Sequence, residues 1–272
     1  MGALRFELRR NLRASCPGVQ LSKPLYTGAT CPLRLILLNH RSTRCFPSSS
    51  PPNQNPLDPC HLRTAAAAGE AIHMAAADTD TYVTEVAFGD AVITTTVTSS
   101  GAAVEGWLRE VRAAYGPGLI VGLDVEWRPS YGPAQNPVAL LQLCVDRRCL
   151  IFQLLYADYV PGSLRRFLAG AADCFVGVGV DKDAERLSDD HGLTVANTAD
   201  LRPLAAQRLG RPELSQAGLQ AVVRAVMGAD LVKPQRVTMS RWDASCLSNE
   251  QIRYACIDAY VSFEVGRRLL RA

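Results

Sequence analysis

Four carboxylates in this 272-residue chain sit where a purely structural role is awkward. Asp124 and Glu126 lie two apart at the end of the apolar run Leu119–Val125, so a strand there puts both on one face of a sheet. Like charges that close oppose each other's ionisation, and such a pair suits a hard cation. A solvated strand end would fit the same spacing. Asp183 follows Val176-Gly177-Val178-Gly179-Val180, a strand pattern that passes through glycines into a helix and leaves the acid in the first turn. The helix dipole favours an acid there in any case, and Asp181 and Glu185 compete for the same neighbourhood. The Gly-x-Gly lacks the third glycine of a dinucleotide fingerprint. Tyr254 and Asp258 are four apart and stack on one face of the last helix, among Ile252, Ala255, Cys256, Ala259, Val261 and Phe263. An acid in that packing needs a partner, which an arginine could also supply. Taken jointly, the four acids match two-metal phosphoryl hydrolysis, which needs several carboxylates around two hard cations roughly 4 Å apart and a group to hold the attacking water. Oxygen donors with few histidines suit Mg²⁺ or Mn²⁺.

Period and punctuation along the chain predict which elements carry these residues. Tyr82–Val97 alternates with β-branched residues around Gly89-Asp90 and predicts a hairpin. Val104, Trp107, Leu108, Val111 and Ala114 predict a helix over 102–115, ended by Gly116-Pro117. Strands are expected at Leu119–Val125, Val138–Val145, Cys149–Phe152 and Cys174–Val180, with a short helix at Leu164–Leu168. A helix opens at Asp181, and helices at about 203–209, 214–227 and 248–271 complete the chain. Strands first and helices later give an α/β class with a mixed central sheet flanked by helices.

Composition removes other classes. The net charge of +3 hides two parts: residues 1–73 carry +6 and residues 74–272 carry −3. The first part holds half of the prolines and no sustained period, so it reads as a disordered Arg/Ser/Pro-rich extension to a domain at 74–272. It is either transit-like or an over-extended reading upstream of Met74. Apolar runs in the tail are too short to cross a bilayer. Three lysines leave no phosphate loop of the ATPase type. Nine cysteines without a Cys-x-x-Cys pair read as reduced, buried thiols of an intracellular protein. With His191 the only histidine past residue 73, a His/Cys zinc site is not expected.

Asp124-Val-Glu126, Gly177-Val-Gly-Val-x-x-Asp183 and Tyr254-Ala-x-x-Asp258-Ala-Tyr resemble the three motifs of the DEDD 3′–5′ exonucleases, in their tyrosine branch. The histidine branch would place a histidine where this chain has Arg253. Trp127-Arg128-Pro129, Ala139–Cys144, Lys233–Val237 and Ser240-Arg241-Trp242-Asp243 fall between them in the order seen in stand-alone plant relatives of the Werner syndrome exonuclease domain. The resemblance covers roughly residues 80–272.

It implies a ribonuclease H-like fold and removal of nucleoside 5′-monophosphates from a nucleic-acid 3′ end, DNA before RNA. An RNase D-like exoribonuclease and a non-catalytic nucleic-acid-binding protein of the same fold are the alternatives. It further implies that Asp124, Glu126 and Asp258 hold one of two Mg²⁺ or Mn²⁺ ions, that Asp124 reaches the second, and that Asp183 acts there mostly through water. Tyr254 would orient the attacking water, and Leu140 with Glu126–Trp127 would cradle the last nucleotide. Arg128, Lys182, Arg236 and Arg241 are candidates for the phosphate backbone, and Trp127 and Trp242 for stacking on a base. The chain leaves no room for a helicase, so any RecQ-type helicase would have to be a separate partner. The expected location is nucleus and cytoplasm, or an organelle if the tail is a transit peptide; no membrane association is expected.

Overall fold

The computed structural model describes residues 81–271. The expectations for residues 1–73, and for Met74 as a start, lie outside the described residues.

Strand β1 (Thr81–Phe88) turns at Gly89, φ 56°, into β2 (Ala91–Thr98), the hairpin that the alternation predicts. Helix α1 (Gly101–Tyr115) stops where Gly116 takes φ 71°. Three strands follow: β3 (Ile120–Trp127), β4 (Val138–Val145) and β5 (Arg148–Gln153). The last two are joined by Asp146-Arg147, with Asp146 at φ 53°, a conformation that aspartate tolerates. Then come α2 (Gly162–Ala169), β6 (Cys174–Gly177), α3 (Val180–His191), β7 (Thr198–Asp200), α4 (Leu201–Leu209), α5 (Leu219–Met227), α6 (Gln235–Thr238) and α7 (Asn249–Leu270). The strands form one mixed sheet in the order β1-β2-β5-β4-β3-β6-β7.

Several boundaries differ from the sequence expectation, each for a local reason. The strand expected to reach Val180 ends at Gly177, because Gly179 adopts φ 81° and α3 starts directly behind it. The helix expected over 214–227 is a 3₁₀ turn at Pro212–Gln216 followed by α5, since the chain is extended at Ala217-Gly218. Strand β7 pairs in parallel with β6 from only three residues, too few to carry a period of its own. Of the described cysteines, Cys144, Cys149 and Cys256 are buried free thiols as expected, but Cys174 is only partly buried and Cys246 is exposed.

Alternation along β3 divides the core. Val121, Leu123 and Val125 pack with α1, α2 and α3 on one face of the sheet. Ile120 faces the other way, into the layer of α4, α5 and α7, and Gly122, Asp124 and Glu126 share that face by period. Helix α7 is apolar nearly all round because it lies between the sheet and α4–α5. Its start is fixed by a capping box: Ser248 Oγ accepts from Gln251 N, and Gln251 Oε1 accepts from Ser248 N.

What brings α7 flush with β3 is Gly122. A β-carbon there would overlap the Ala259 carbonyl oxygen and stand 2.6 Å from Phe263 N, both backbone atoms of α7. Gly266, further along α7, makes room for a side chain of β6: its β-carbon would stand 2.7 Å from Val176 Cγ2. Gly122→Ala should therefore force helix and sheet apart, lowering stability by about 3 kcal/mol. Thermal or urea unfolding checks this; an unchanged midpoint would mean that α7 does not rest on Gly122.

Candidate active site

The face that Gly122 clears for α7 continues into Asp124 and Glu126. Across the antiparallel ladder Asp124 pairs with Gln142 and Glu126 with Leu140, and the register slips between Glu126 and Trp127, at the last pair of β3. Helix α7 places Asp258 over these residues. One carboxylate oxygen each from Asp124, Glu126 and Asp258 lie within 4.8 Å of one another. Tyr254 is one turn earlier on the same face; its hydroxyl receives a hydrogen bond from Thr238 Oγ1 at 3.3 Å, and its ring packs 5.8 Å from that of Trp242.

Asp183 enters from α3. Gly179 aims that helix, and at Gly177 a β-carbon would stand 2.6 Å from the Leu123 carbonyl, so α3 begins hard against β3. Asp183 lies outside the tight group of three, but it is half-buried and Asp124 is the charge that acts on it most. Its rivals point elsewhere: Asp181 accepts from Thr198 Oγ1 at 2.6 Å on the exposed side, and Glu185 is exposed.

Burial dominates the electrostatics. It pushes Asp258 up to about 7 and Asp183 to about 8, with Asp124 adding repulsion in both, and it raises Asp124 and Glu126 as well. Burial also lifts the Tyr254 phenol to about 12, so it keeps its proton at neutral pH. The balancing cation is Lys233, whose Nζ lies 2.6 Å from Asp258 Oδ2 and 5.1 Å from the centre of the Tyr254 ring. Sequence reasoning gives it no part in the centre. The available signals are its place in the segment Lys233–Val237 that carries the resemblance and its scarcity, one lysine of three. Gln142 escapes sequence reasoning too: it is fully buried, beside Asp124 in the ladder, and neither end of its amide has a partner among the described residues.

One buried and two half-buried carboxylates that repel one another, with an unpaired amide beside them, form an oxygen-only donor set that fits a hard divalent ion. The other sequence candidates lie around this centre. Leu140 is buried across from Glu126. Trp127 is partly buried with the Arg186 guanidinium 4.1 Å over its ring, whereas Trp242 is a wholly buried core residue that leaves no face for a base. Asp243 brings Arg128 and Arg241 together, at 3.1 and 3.6 Å. Arg236 on α6 is held by Glu250 at 2.6 Å, and Lys182 is exposed on α3. Such surface pairs contribute little, which leaves the guanidinium groups exchangeable.

The raised Asp183 has a definite sign. Its folded value, about 8, is above the ordinary 3.8, so its contribution to stability is complete below pH about 4 and is lost progressively as pH rises from there through about 8. In EDTA, Asp183→Asn should gain on wild type by about 4 kcal/mol more at pH 9 than at pH 5, roughly 8–16 °C in melting temperature. Melting curves at both pH values test this; equal differences at both would show that Asp183 is not titrating inside the site.

The family model described as 3′–5′ exonuclease matches residues 96–272. A 3′–5′ exonuclease of Arabidopsis thaliana is 33% identical over 151 residues, covering 55% of this chain and 52% of that protein. Exonuclease 3′–5′ domain-containing protein 2 of Drosophila melanogaster is 35% identical over 153 residues, covering 56% and 25%. The chain thus spans about half or less of these relatives' lengths. Among solved structures, Escherichia coli RNase D has a TM-score of 0.54 at 20% identity, covering 64% of this chain and 44% of that one, a likeness of fold. The mixed seven-stranded sheet is accordingly of the ribonuclease H-like type, and the chain belongs to the 3′–5′ exonuclease family.

Proposed function

We propose that this chain is a divalent-metal-dependent 3′–5′ exonuclease that shortens DNA from its 3′ end and releases nucleoside 5′-monophosphates. The observation that carries the reading is the meeting of Asp124, Glu126 and Asp258 within 4.8 Å, with the protonated Tyr254 one turn away. Asp124, Glu126 and Asp258 would hold one ion, and Asp124, with Asp183 through water, a second. When bound, Mg²⁺ or Mn²⁺ supplies a more acidic water and neutralises charge on the phosphoryl oxygens. Tyr254 keeps its hydroxyl proton and is fixed by Thr238 and Trp242, so it orients the water lone pair toward phosphorus. Attack forms the new P–O bond as the bond to the 3′-oxygen of the preceding nucleotide breaks, and that oxygen takes a proton. Arg128, Arg236 and Arg241 would exchange their surface acids for backbone phosphates, with Trp127 and Leu140 beside the terminal nucleotide.

DNA as substrate, two ions, work in DNA repair and a nuclear or cytoplasmic location belong to the same proposal. A separate helicase partner is supported by a mouse relative named as a bifunctional 3′–5′ exonuclease and ATP-dependent helicase, 30% identical over 154 residues, which cover 56% of this chain and 11% of that protein.

The test uses the full chain with a 3′-recessed DNA duplex and a matched RNA, in Mn²⁺, Mg²⁺ or EDTA. A ladder that shortens from the DNA 3′ end only with metal is expected. Asp124→Ala and Glu126→Ala should abolish it, and Tyr254→Phe should slow it by about 100-fold. Shortening of the RNA alone would reassign the substrate, and intact substrates with both ions would sink the catalytic reading.

A further inference from the structure

Lys233 is mostly buried against the acids proposed to hold metal, and the role inferred for it depends on that proposal. Its side chain is 26% exposed and that of Asp258 is 2% exposed. Asp258 and Asp124 are the two charges that attract it most. A buried ammonium needs an anion, and a divalent ion on the same carboxylates brings further positive charge to the same place. The two like charges repel, so each weakens the hold of Asp258 on the other.

The segment that carries Lys233 is not locked into a helix or a strand. Residues 228–234 between α5 and α6 have no regular structure. They are pinned by the buried Leu231, whose carbonyl accepts from Gln220 Nε2 at 2.8 Å, and by the buried Val237, while Val232 between them is 78% exposed. The same segment forms one wall of a groove of about 240 Å³, with Leu231, Val232 and Pro234 facing Arg253, Tyr254 and Asp258.

We infer that Lys233 and the divalent ion are alternative cations of the same carboxylates: Lys233 holds Asp258 in the metal-free protein and yields it when the ion binds, releasing the groove wall at residues 231–234. Metal loading is thereby coupled to the shape of the groove beside the catalytic centre, and Lys233 acts as a positioning residue.

Calorimetric Mn²⁺ titration of the full chain tests the exchange. Lys233→Met should bind Mn²⁺ about tenfold more tightly than wild type, a normal size for coupling between two sites, while Lys233→Arg should stay within about twofold. In wild type, amide hydrogen exchange at residues 231–233 should quicken several-fold on saturation with Mn²⁺, a readout that stands even if Lys233→Met does not fold. Equal or weaker Mn²⁺ binding by folded Lys233→Met, or unchanged or slower exchange in that segment, would overturn the inference while leaving the metal reading intact. Wild type that takes up no Mn²⁺, or Asp124→Asn that binds it as tightly, would overturn the metal reading and this inference with it.

Discussion

Everything at the site hangs on the contact of α7 with β3 at Gly122. Backbone meets backbone there, with no side chain between, and the helix runs on over the two strand positions that carry Asp124 and Glu126. A spacer of ordinary side chains would hold packed elements roughly 10 Å apart, too far for an aspartate on the helix to share a cation with acids on the strand. Gly177 against the Leu123 carbonyl repeats the device and Gly266 makes room for the Val176 side chain, so strands β3 and β6 and helices α3 and α7 converge on one spot.

Convergence creates an electrostatic problem. Acids drawn out of water and toward each other resist ionisation, as the upward shifts of Asp183, Glu126 and Asp258 record. Around them the core is heavily apolar, from Leu123 and Val125 beneath to Ile257 and Trp242 above, and it holds the acids in place. Lys233 relieves part of the repulsion, and a divalent ion would relieve more. A site that is uncomfortable without cations is well suited to binding them, and stability given up at this point is supplied by the packing on both faces of the sheet.

Much of the fold is legible in local patterns. The period of two in β1 and β2, the apolar runs of β3 and β4, and the glycine that stops α1 set those elements because each is a local property of backbone and solvent. Counting alone puts Asp124 and Glu126 on one face, and Tyr254 and Asp258 on another. Where local signals are weak or compete, the structure departs from the pattern. β7 exists because β6 offers it an edge, α6 is a single turn, and Gly179 ends β6 earlier than its apolar run suggests.

Residue types and their spacing, together with the resemblance of three motifs, were enough to propose the acids and the tyrosine and to name the fold. The choice among neighbours came instead from packing: Asp183 rather than Asp181 or Glu185 acts with the site, Trp242 is core, and Arg128 and Arg241 share Asp243. Packing also made the partner of Asp258 a lysine 25 residues away rather than one of the arginines nearby. The difference is one of range. Periodicity reports which way a side chain points on its own element, whereas the pairing of buried charges depends on which elements meet, and that is settled by close packing across the whole chain.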